Sequence, residues 1–352
     1  MTAKRRVLVV DDSVLVRQLM TRILSRHPDL EVVGTAADPF EAREKIIALQ
    51  PDVLTLDIEM PRMDGLTFLG KLMKAHPMPV VVVSSLTPKG TQVAMEALRL
   101  GAMEVIGKPS GSAGLGLERV GDELAEAVHE ASFARVARRA SVEVPRLPLA
   151  AAPLGTAPGR TDGLILMGAS TGGTEALRRV FEGLPAGLPP IAIVQHILPG
   201  FTAAYAERLN GVGQVRVSEA ADGELLLPGH AYLAPSLAHL RVRREGDGRI
   251  RALVQEGPRL RNHLPAVDAL FQSAAEAGGA RRMLGVLLTG MGDDGARGLL
   301  ALRQAGAATL SQDEATSVVY GMPKVAWEIG ASERQVALDE VAREVARWAG
   351  AK

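Results

Sequence analysis

Short apolar runs rich in β-branched residues alternate with amphipathic segments over the first 110 residues of the chain. The runs predict strands, and the segments between them, with apolar residues three and four positions apart, predict helices. The predicted strands are Arg6–Val10, Leu30–Ala36, Val53–Leu56, Val80–Val83 and Glu104–Ile106. The predicted helices are Ser13–His27, Glu41–Leu49, Leu66–Ala75, Gln92–Leu100 and Glu118–Arg138. Strands that alternate with helices favour a parallel, doubly wound α/β sheet, whose sites lie at the carboxyl ends of the strands.

A second α/β pattern begins near residue 161. Between the two patterns, residues 140–161 are rich in proline, alanine and glycine without periodicity, which predicts a linker of moderate stiffness. The second pattern predicts strands at Leu164–Met167, Ile191–Gln195, Gln214–Val217, Ala231–Ala234, His239–Arg243, Ile250–Val254 and Met283–Leu288, some of them joined as hairpins. It predicts helices at Thr174–Phe181, Thr202–Leu209, Val267–Glu276 and Ala296–Ala305. We therefore expect one domain at 1–122, a helix end and linker at 123–160, and a second α/β domain with a mainly parallel sheet at 161–352.

Composition restricts the possible functions. The 352 residues include 40 Lys and Arg against 40 Asp and Glu, so the formal net charge is zero, and there is no cysteine. A balanced charge argues against a protein that binds nucleic acid or a membrane surface along its length. The absence of cysteine excludes disulfides, thiolate metal sites and cysteine nucleophiles. Neither a secretory signal nor an apolar run of about 20 residues is present, so we expect no membrane insertion and a cytoplasmic location.

Polar residues end or follow four strands of the first domain. Asp11 and Asp12 follow the first strand and Asp57 ends the third, and these two strands are neighbours in a parallel sheet. Ser84 ends the fourth strand and Lys108 follows the fifth. One aspartate after a strand is commonly only a turn residue, but clustered carboxylates repel one another unless a cation joins them. Oxygen ligands favour Mg²⁺, and a carboxylate beside Mg²⁺ and a lysine can accept a phosphoryl group.

This set, together with Lys108-Pro109, resembles response-regulator receiver domains over residues 1–120. The resemblance implies a flavodoxin-like, doubly wound fold in which a histidine kinase phosphorylates Asp57. Many receivers have an aromatic switch residue near the start of the fifth strand, where this chain has Val105, so an aromatic switch is not expected here. The other implied roles are Mg²⁺ binding by Asp11, Asp12 and Asp57, and contact with the phosphoryl group by Ser84, as the switch hydroxyl, and Lys108.

The stretch LILMGASTGGTEAL carries the most chemical information in the second domain. A strand runs into a G-x-S-x-G turn centred on Ser170 and then into a helix, which is typical of a nucleophile elbow. The alternative is a phosphate-binding loop of the Rossmann type. That loop requires a glycine where Ser170 stands and an acid after the next strand, where this chain has Gln195 and His196. The pattern therefore favours a serine nucleophile.

A nucleophilic serine needs a base and a group that orients the base. His196 ends the strand next in order to the one before Ser170, whereas His230, His239 and His263 lie in or near turns or at strand starts. Either of two residues, Asp293 and Asp294, could orient His196, because both follow a later apolar strand, in the stretch LLTGMGDDG. Either could equally be an ordinary helix N-cap.

With these segments the whole chain resembles the chemotaxis protein-glutamate methylesterase family. LDIEMPRMDG at 56–65 and SQDEATSVVYGMP at 311–323 also match that family. The resemblance implies a Rossmann-like catalytic domain with Ser170, His196 and Asp294 as the catalytic triad, and backbone N–H groups near Thr171 and Met291 as oxyanion donors. In the segment 311–323, the residues Gln312, Asp313, Gly321 and Pro323 either line the substrate cleft or form a structural loop.

The resemblance also implies an activity. Phosphorylation-activated hydrolysis of glutamate methyl esters on the cytoplasmic domain of a methyl-accepting chemoreceptor is expected, together with glutamine deamidation. It implies a histidine kinase as phosphodonor, Mg²⁺ in the receiver, and no cofactor for ester hydrolysis. Three alternatives remain open: a nucleotide-binding regulator, a DNA-binding response regulator, for which no basic recognition helix is visible, and a methylesterase that serves a pathway other than chemotaxis.

Overall fold

The chain folds into two compact units, residues 1–142 and 143–352. The computed structural model describes residues 3–84, 88–108, 114–134, 136, 163–197 and 199–350. The predicted linker at 140–161 and the predicted residue Pro109 lie outside the described residues. No helix in the described ranges is both long and apolar enough to cross a lipid bilayer.

The first unit is a five-stranded parallel sheet with helices between successive strands. The sheet order is β2-β1-β3-β4-β5, so the first and third strands are neighbours as predicted. Its strands are β1 (Arg5–Val10), β2 (Leu30–Ala36), β3 (Val53–Asp57), β4 (Val80–Ser84) and β5 (Glu104–Gly107). Its helices are α1 (Val14–Leu24), α2 (Pro39–Leu49), α3 (Gly65–Ala75), α4 (Pro88–Leu100) and α5 (Gly114–Ala131).

Local sequence signals explain where these elements lie. The four valines of β4 are all buried, as expected for a strand covered on both faces. The N-cap side chains Ser13, Asp38 and Asp64 each accept a hydrogen bond from a backbone N–H in the first turn of the following helix. The doubly wound fold predicted for this unit is therefore confirmed.

The last helix of the first unit differs from its prediction. The sequence predicts a helix over Glu118–Arg138, whereas α5 begins at Gly114 and ends at Ala131. After Ala131 the chain tightens into a turn, in which the N–H of Phe133 donates to the carbonyl of Glu130 and the hydroxyl of Ser132 donates to the carbonyl of His129. The central carbon of the Arg5 guanidinium lies 4.1 Å from the centroid of the Phe133 ring. Residues 132–134 are therefore not helical, and the predicted extension to Arg138 is wrong over these residues.

The second unit is built on a seven-stranded sheet in which every neighbouring pair is parallel. The sheet order is β14-β13-β12-β6-β7-β9-β8, which places β6 between β12 and β7. The strands of this sheet are β6 (Leu164–Ala169), β7 (Ile191–Gln195), β8 (Arg216–Glu219), β9 (His230–Leu233), β12 (Met283–Leu287), β13 (Ala308–Gln312) and β14 (Arg334–Val336).

The described part of the second unit also contains two further strands and six α-helices. The antiparallel pair β10 (His239–Arg244) and β11 (Ile250–Gln255) is the hairpin that the sequence anticipates. The helices are α6 (Gly173–Gly183), α7 (Thr202–Asn210), α8 (Val267–Glu276), α9 (Ala296–Gln304), α10 (Met322–Glu328) and α11 (Leu338–Gly350). Helix α6 packs against α11, whereas α8 packs against α9 and β10. The α/β fold with a mainly parallel sheet is confirmed, but the sequence analysis did not anticipate β13, α10, β14 and α11.

Candidate functional site

Three polar side chains meet at the carboxyl ends of the three central strands of the second unit. Ser170 follows β6, His196 follows β7 and Asp294 lies in the turn after β12. The Oγ of Ser170 lies 3.0 Å from Nδ1 of His196, and Nε2 of His196 lies 2.9 Å from Oδ2 of Asp294. We call these three side chains the Ser-His-Asp array. With hydrogen on Nε2, the neutral imidazole donates to Asp294 and can accept the Ser170 proton at Nδ1.

The turn that carries Ser170 depends on a glycine. Gly172 is the N-cap of α6 and has φ +77°, a left-handed conformation that side chains other than glycine rarely adopt. A Cβ atom at Gly172 would lie 2.6 Å from Cβ of Val318. The N–H of Ser170 donates to the carbonyl of Thr289, 3.0 Å away. Ser170 is thus held at the start of a helix, where unpaired N–H groups favour negative charge.

The surroundings of Asp294 keep its carboxylate ionised. The side chain is 0% exposed, and it accepts hydrogen bonds from the backbone N–H groups of Val267 and Asp268, at 2.7 and 2.9 Å. Burial alone would raise the pKa of Asp294, but the hydrogen bond and charge of His196, together with these N–H groups, hold the pKa below its usual value. Asp294 can therefore stabilise a positive charge on His196.

The neighbouring Asp293 occupies a different environment. It lies outside the array and forms an ion pair with the guanidinium of Arg261, which also pairs with Asp268 at 3.1 Å. Of the two aspartates that the chain order leaves open, Asp294 is the one hydrogen-bonded to His196, whereas Asp293 pairs with Arg261.

Two buried side chains that the sequence analysis did not assign join the turns around the array. The amide of Gln195 donates to the carbonyls of Ser170 and His196, both at 2.9 Å. The hydroxyl of Thr289 lies 3.0 Å from the carbonyl of Thr171 and accepts the N–H of Val319 at 2.9 Å. The only sequence signal for these residues is their place beside the predicted site, in the QH and TGMG segments. Their contacts require the folded turns and are not visible in a one-dimensional pattern.

The two backbone positions expected to bind an oxyanion lie in the turns on either side of Ser170. A Cβ atom at Gly290 would lie 2.7 Å from Cβ of Ser170, so the turn after β12 approaches the serine closely. The N–H of Met291, one residue further, donates to no atom of the described residues. Thr171 is buried, directly before the left-handed Gly172. These positions are compatible with oxyanion donors.

The segment 311–323 supports the turn after β12. Gln312 is buried and its Oε1 accepts the N–H of Thr289 at 2.9 Å. Asp313 caps its own turn by accepting the N–H of Thr316 at 3.0 Å. A Cβ atom at Gly321 would lie 2.7 Å from the carbonyl oxygen of Gly290, and Pro323 is buried in the first turn of α10. Of the two interpretations left open by the sequence, these contacts favour a structural loop.

His263 is a further side chain of the site that the sequence analysis did not select. Its ring is stacked on the ring of His196, with centroids 4.0 Å apart. His263 lies in the loop before α8, away from any apolar strand, so its residue type was its only sequence signal.

The predicted acidic residues of the first unit also converge. Carboxylate oxygens of Asp11, Asp12 and Asp57 lie within 4.8 Å of one another. The Nζ of Lys108 lies 2.7 Å from Oδ2 of Asp57 and 3.1 Å from Oδ2 of Asp11. Ser84 is buried at the end of β4, and its carbonyl accepts the N–H of Lys108 at 2.9 Å. All five predicted residues therefore lie at one edge of the sheet.

The electrostatics of this acidic site suit a hard cation. Burial raises the pKa of Asp57 in spite of the nearby Lys108 ammonium. Burial would lower the pKa of Lys108, but the carboxylates of Asp57 and Asp11 raise it instead, so the lysine remains charged. Three carboxylates against one ammonium leave an excess of negative charge, and clustered carboxylate oxygens are the ligands that Mg²⁺ prefers. The residues present therefore fit a magnesium ion.

A serine hydroxyl beside an imidazole that a buried carboxylate orients is the arrangement of serine hydrolases. In the second unit this arrangement lies on an α/β sheet, and the first unit carries a separate acidic site. The fold and the two sites thus define a hydrolase joined to a receiver-type domain.

Comparison with known proteins agrees with this class. The sequence profile of the CheB methylesterase family matches residues 165–345, and the profile of the response regulator receiver domain matches residues 7–117. The chain therefore belongs to the CheB methylesterase family.

Several relatives extend over nearly the whole chain. A protein-glutamate methylesterase/protein-glutamine glutaminase 2 of Xanthomonas oryzae pv. oryzae is 51% identical over 97% of this chain and 96% of its own length. A protein of the same name from Cupriavidus pinatubonensis is 50% identical over 97% of this chain and 95% of its own length. The crystal structure of the Thermotoga maritima CheB methylesterase catalytic domain is 33% identical, with a TM-score of 0.51, and covers 53% of this chain and 97% of that chain.

Proposed function

We propose that this chain is a protein-glutamate methylesterase, regulated by phosphorylation, that acts in the cytoplasm on methylated glutamates of chemoreceptors. The observation that carries the proposal is the Ser-His-Asp array, with hydrogen-bond distances of 3.0 and 2.9 Å between its members. The names of relatives with about half their residues identical support the substrate class. The substrate is then a γ-glutamyl methyl ester on a cytoplasmic receptor domain.

The reaction proceeds through an acyl-enzyme. The Nδ1 of His196 takes the proton of Ser170 as its Oγ attacks the ester carbonyl, and the resulting imidazolium faces the Asp294 carboxylate. The N–H groups of Thr171 and Met291 hold the oxyanion of the tetrahedral intermediate, a role in which one donor is typically worth about 10²–10³ in rate. As the tetrahedral intermediate collapses, the imidazolium of His196 gives its proton to the departing methoxide oxygen, which leaves as methanol. Water, deprotonated by His196, then attacks the acyl-enzyme and releases a glutamate carboxylate and free Ser170.

The same site can deamidate glutamine. Attack of Ser170 on a γ-carboxamide gives the same acyl-enzyme, with ammonia as the leaving group in place of methanol. The hydrolysis step and its product are unchanged. We therefore include glutamine deamidation in the proposed activity.

The first unit is proposed to be the phosphorylation switch. Asp57 accepts a phosphoryl group from a histidine kinase, and Asp11, Asp12 and Asp57 would hold Mg²⁺, which when bound neutralises charge on the transferring oxygens. Lys108 adds an ammonium at the same edge of the sheet, 2.7 Å from Asp57. Phosphorylation adds about −1.5 to −2 charge units beside the buried Ser84, and this change shifts the equilibrium between a restrained and an active arrangement of the chain.

The proposed activity is tested with Ser170→Ala. Methanol release from a methylated receptor fragment is measured for the wild type and the variant, with thermal unfolding as a check on folding. We expect the variant to retain its fold and to lose methanol release to the level of the uncatalysed reaction, because no other described nucleophile lies against His196. Activity retained by the folded variant would contradict the serine mechanism.

The proposed switch is tested with Asp57→Asn and acetyl phosphate. We expect the phosphodonor, with Mg²⁺, to increase methanol release by the wild type and to leave Asp57→Asn unchanged, because the amide cannot accept the phosphoryl group. As a control, the same phosphodonor should leave inactive Ser170→Ala inactive while still phosphorylating it. A response of Asp57→Asn equal to that of the wild type would show that Asp57 is not the acceptor.

A further inference from the structure

Two imidazole rings are stacked face to face in the active site. The planes of His196 and His263 are inclined by only 12°, and their centroids are 4.0 Å apart. One face of the ring that exchanges protons with Ser170 is therefore covered by a second aromatic ring. Hydrogen bonds to Ser170 and Asp294 hold the two nitrogen atoms of the His196 ring. The stacked ring restricts the remaining motion, which is tilting of the His196 ring about the line through those nitrogen atoms.

His263 is presented by a tight and strained turn. The N–H of Leu260 donates to the carbonyl of His263 at 3.0 Å, and the N–H of His263 donates to the carbonyl of Leu260 at 2.9 Å. Between them, Arg261 and Asn262 have φ values of +49° and +68°, in the left-handed region. Asparagine adopts this region more readily than most residues, but it is costly for Arg261, which needs surrounding contacts to hold it there.

Ion pairs to the neighbourhood of the catalytic aspartate provide those contacts. Arg261 pairs with the buried Asp268 at 3.1 Å and with Asp293. Asp268 in turn donates its backbone N–H to Asp294, and Asp293 precedes Asp294 in the chain. The turn that carries His263 is therefore fastened to the same residues that fasten the carboxylate of the Ser-His-Asp array.

The stacked ring is uncharged near neutral pH. Burial, together with repulsion from His196, lowers the pKa of His263 to about 3. No hydrogen bond of the His263 ring nitrogens to a described residue is present, and the ring meets the Ser-His-Asp array through its stack on His196. A neutral aromatic face attracts a neighbouring cation, whereas a protonated His263 would repel one.

We propose that His263 is a positioning residue for His196: its neutral ring holds the plane of the His196 imidazole between Ser170 and Asp294 and stabilises the imidazolium formed when Ser170 is deprotonated. The inference rests on the proposed serine mechanism. It explains why the chain maintains two left-handed residues at 261 and 262, since a relaxed turn would not present the ring to His196. His263 touches neither Ser170 nor, in the mechanism, the ester carbonyl, so it acts through His196.

The test compares removal of the ring with replacement by an uncharged ring. His263→Ala is expected to lower kcat for methanol release about 5- to 30-fold, the equivalent of about 1–2 kcal/mol for a cation over an aromatic face. KM should stay within about twofold, because the ring contributes to the reacting state and not to binding. His263→Phe restores a planar neutral ring and should return kcat to within about threefold of the wild type.

A second readout does not require the receptor. The rate at which a fluorophosphonate labels Ser170 reports the nucleophilicity of the serine directly, and it should fall in His263→Ala and recover in His263→Phe.

The matched control is His230→Ala. His230 is likewise stacked on an aromatic ring, that of Tyr232, with centroids 4.5 Å apart, but it makes no contact with the Ser-His-Asp array. That variant should match the wild type in both assays. If His263→Ala does not fold, His263→Gln removes the ring while keeping a polar side chain and gives the same comparison.

The outcomes separate this inference from the proposed function. A kcat of His263→Ala equal to that of the wild type overturns the inference, and so does a His263→Phe variant as slow as His263→Ala. A wild type that is labelled at Ser170 but releases no methanol contradicts the methylesterase proposal. In that case, slower labelling of His263→Ala with recovery in His263→Phe still supports the positioning role. Failure of the wild type to be labelled overturns both.

Discussion

Asp293 and Asp294 are adjacent in the chain, but their carboxylates have opposite environments. Asp294 is fully buried and accepts three hydrogen bonds, from two backbone N–H groups and His196. Asp293 lies near solvent, with 41% of its side chain exposed, and pairs with Arg261. Solvent-exposed ion pairs contribute about 0–1 kcal/mol, whereas a buried carboxylate that orients a catalytic imidazole governs the rate.

This difference gives a prediction for a pair of substitutions. Asp294→Asn should lower kcat by about 10³–10⁴-fold, because the amide can neither favour the tautomer of His196 with hydrogen on Nε2 nor balance the imidazolium. Asp293→Asn should change kcat by less than about threefold, since Arg261 retains its pair with Asp268. Methanol release from a methylated receptor fragment measures both. Similar losses in the two variants would contradict the assignment of Asp294.

At the residue scale, the sequence pattern indicates functional side chains that follow predicted strands, and it does not indicate those that lie elsewhere. The pattern selects Ser170 and His196 because each follows an apolar strand and the two strands are consecutive, and the structure places their side chains 3.0 Å apart. The residues alone narrow the carboxylate only to Asp293 or Asp294, since the side-chain direction within a turn depends on its backbone conformation, whereas the family resemblance selects Asp294. His263 was set aside as a turn residue, because its position depends on the left-handed turn at 261 and 262 and on the ion pairs of Arg261.

At the scale of elements, one hydroxyl joins the two turns that surround Ser170. Thr289 lies just after β12, at the start of the turn that follows it, and is fully buried. Its Oγ1 lies 3.0 Å from the carbonyl of Thr171, in the turn after β6, and accepts the N–H of Val319. The proposed oxyanion donors, Thr171 and Met291, lie in these two turns. Their spacing therefore depends on this connection between loops.

Thr289→Val tests the connection, because valine has nearly the same shape and lacks the hydroxyl. We expect a loss of about 1–3 kcal/mol in the free energy of unfolding, since the N–H of Val319 is left without a partner. We also expect a fall of about tenfold in kcat, the equivalent of about 1.4 kcal/mol, as the donors lose their spacing. Thr309→Val is the control for shape: Thr309 is equally buried in β13, and its hydroxyl accepts the N–H of Glu333 at 3.2 Å. That N–H also donates to the carbonyl of Thr309 at 3.1 Å, so it keeps a partner in the variant. Thr309→Val should therefore lose less stability than Thr289→Val and keep its kcat; equal losses of kcat in the two variants would contradict the role of Thr289.

The elements that the sequence did not predict are short or polar, with one exception. Strand β14 has three residues and begins with Arg334 and Gln335, so its pairing with β13 comes from tertiary context. Helix α10 has seven residues, fewer than a periodic pattern needs to be distinguished. Helix α11, by contrast, buries a regular stripe that includes Leu338, Val341 and Val345, and this periodicity could have been recognised. The long buried strands were predicted because four or five consecutive apolar residues have few other places in an α/β fold.

At the scale of the whole molecule, two units carry two different chemistries. The acidic site of Asp11, Asp12 and Asp57 belongs to the first unit, and the Ser-His-Asp array belongs to the second. The net charge of the chain does not show this separation, because the acidic cluster is offset by basic residues elsewhere in the chain. A cation that binds the acidic site stabilises the unit that holds it.

We predict that Mg²⁺ raises the unfolding temperature of the first unit alone. At a concentration ten times its Kd, the expected stabilisation is about 1.4 kcal/mol, or a shift of about 5 °C for a unit of this size. Differential scanning calorimetry of the full chain should show the shift in the wild type and in Asp294→Asn, whose acidic site is intact. Asp57→Asn, which lacks one of the three carboxylates, should show a much smaller shift. An equal shift in Asp57→Asn would place the ion elsewhere.

The position of β6 in the centre of its sheet has a consequence for synthesis on the ribosome. β6 is the first strand of that sheet in the chain, and its neighbour β12 is translated about 120 residues later. At about 5–20 residues per second, the strand that carries Ser170 waits roughly 6–24 s for the strand that precedes Asp294. The emerging polypeptide therefore carries Ser170 without Asp294 during that time. Under the proposed mechanism, an incomplete chain lacks the carboxylate that hydrolysis requires, and activity begins only after β12 has joined the sheet.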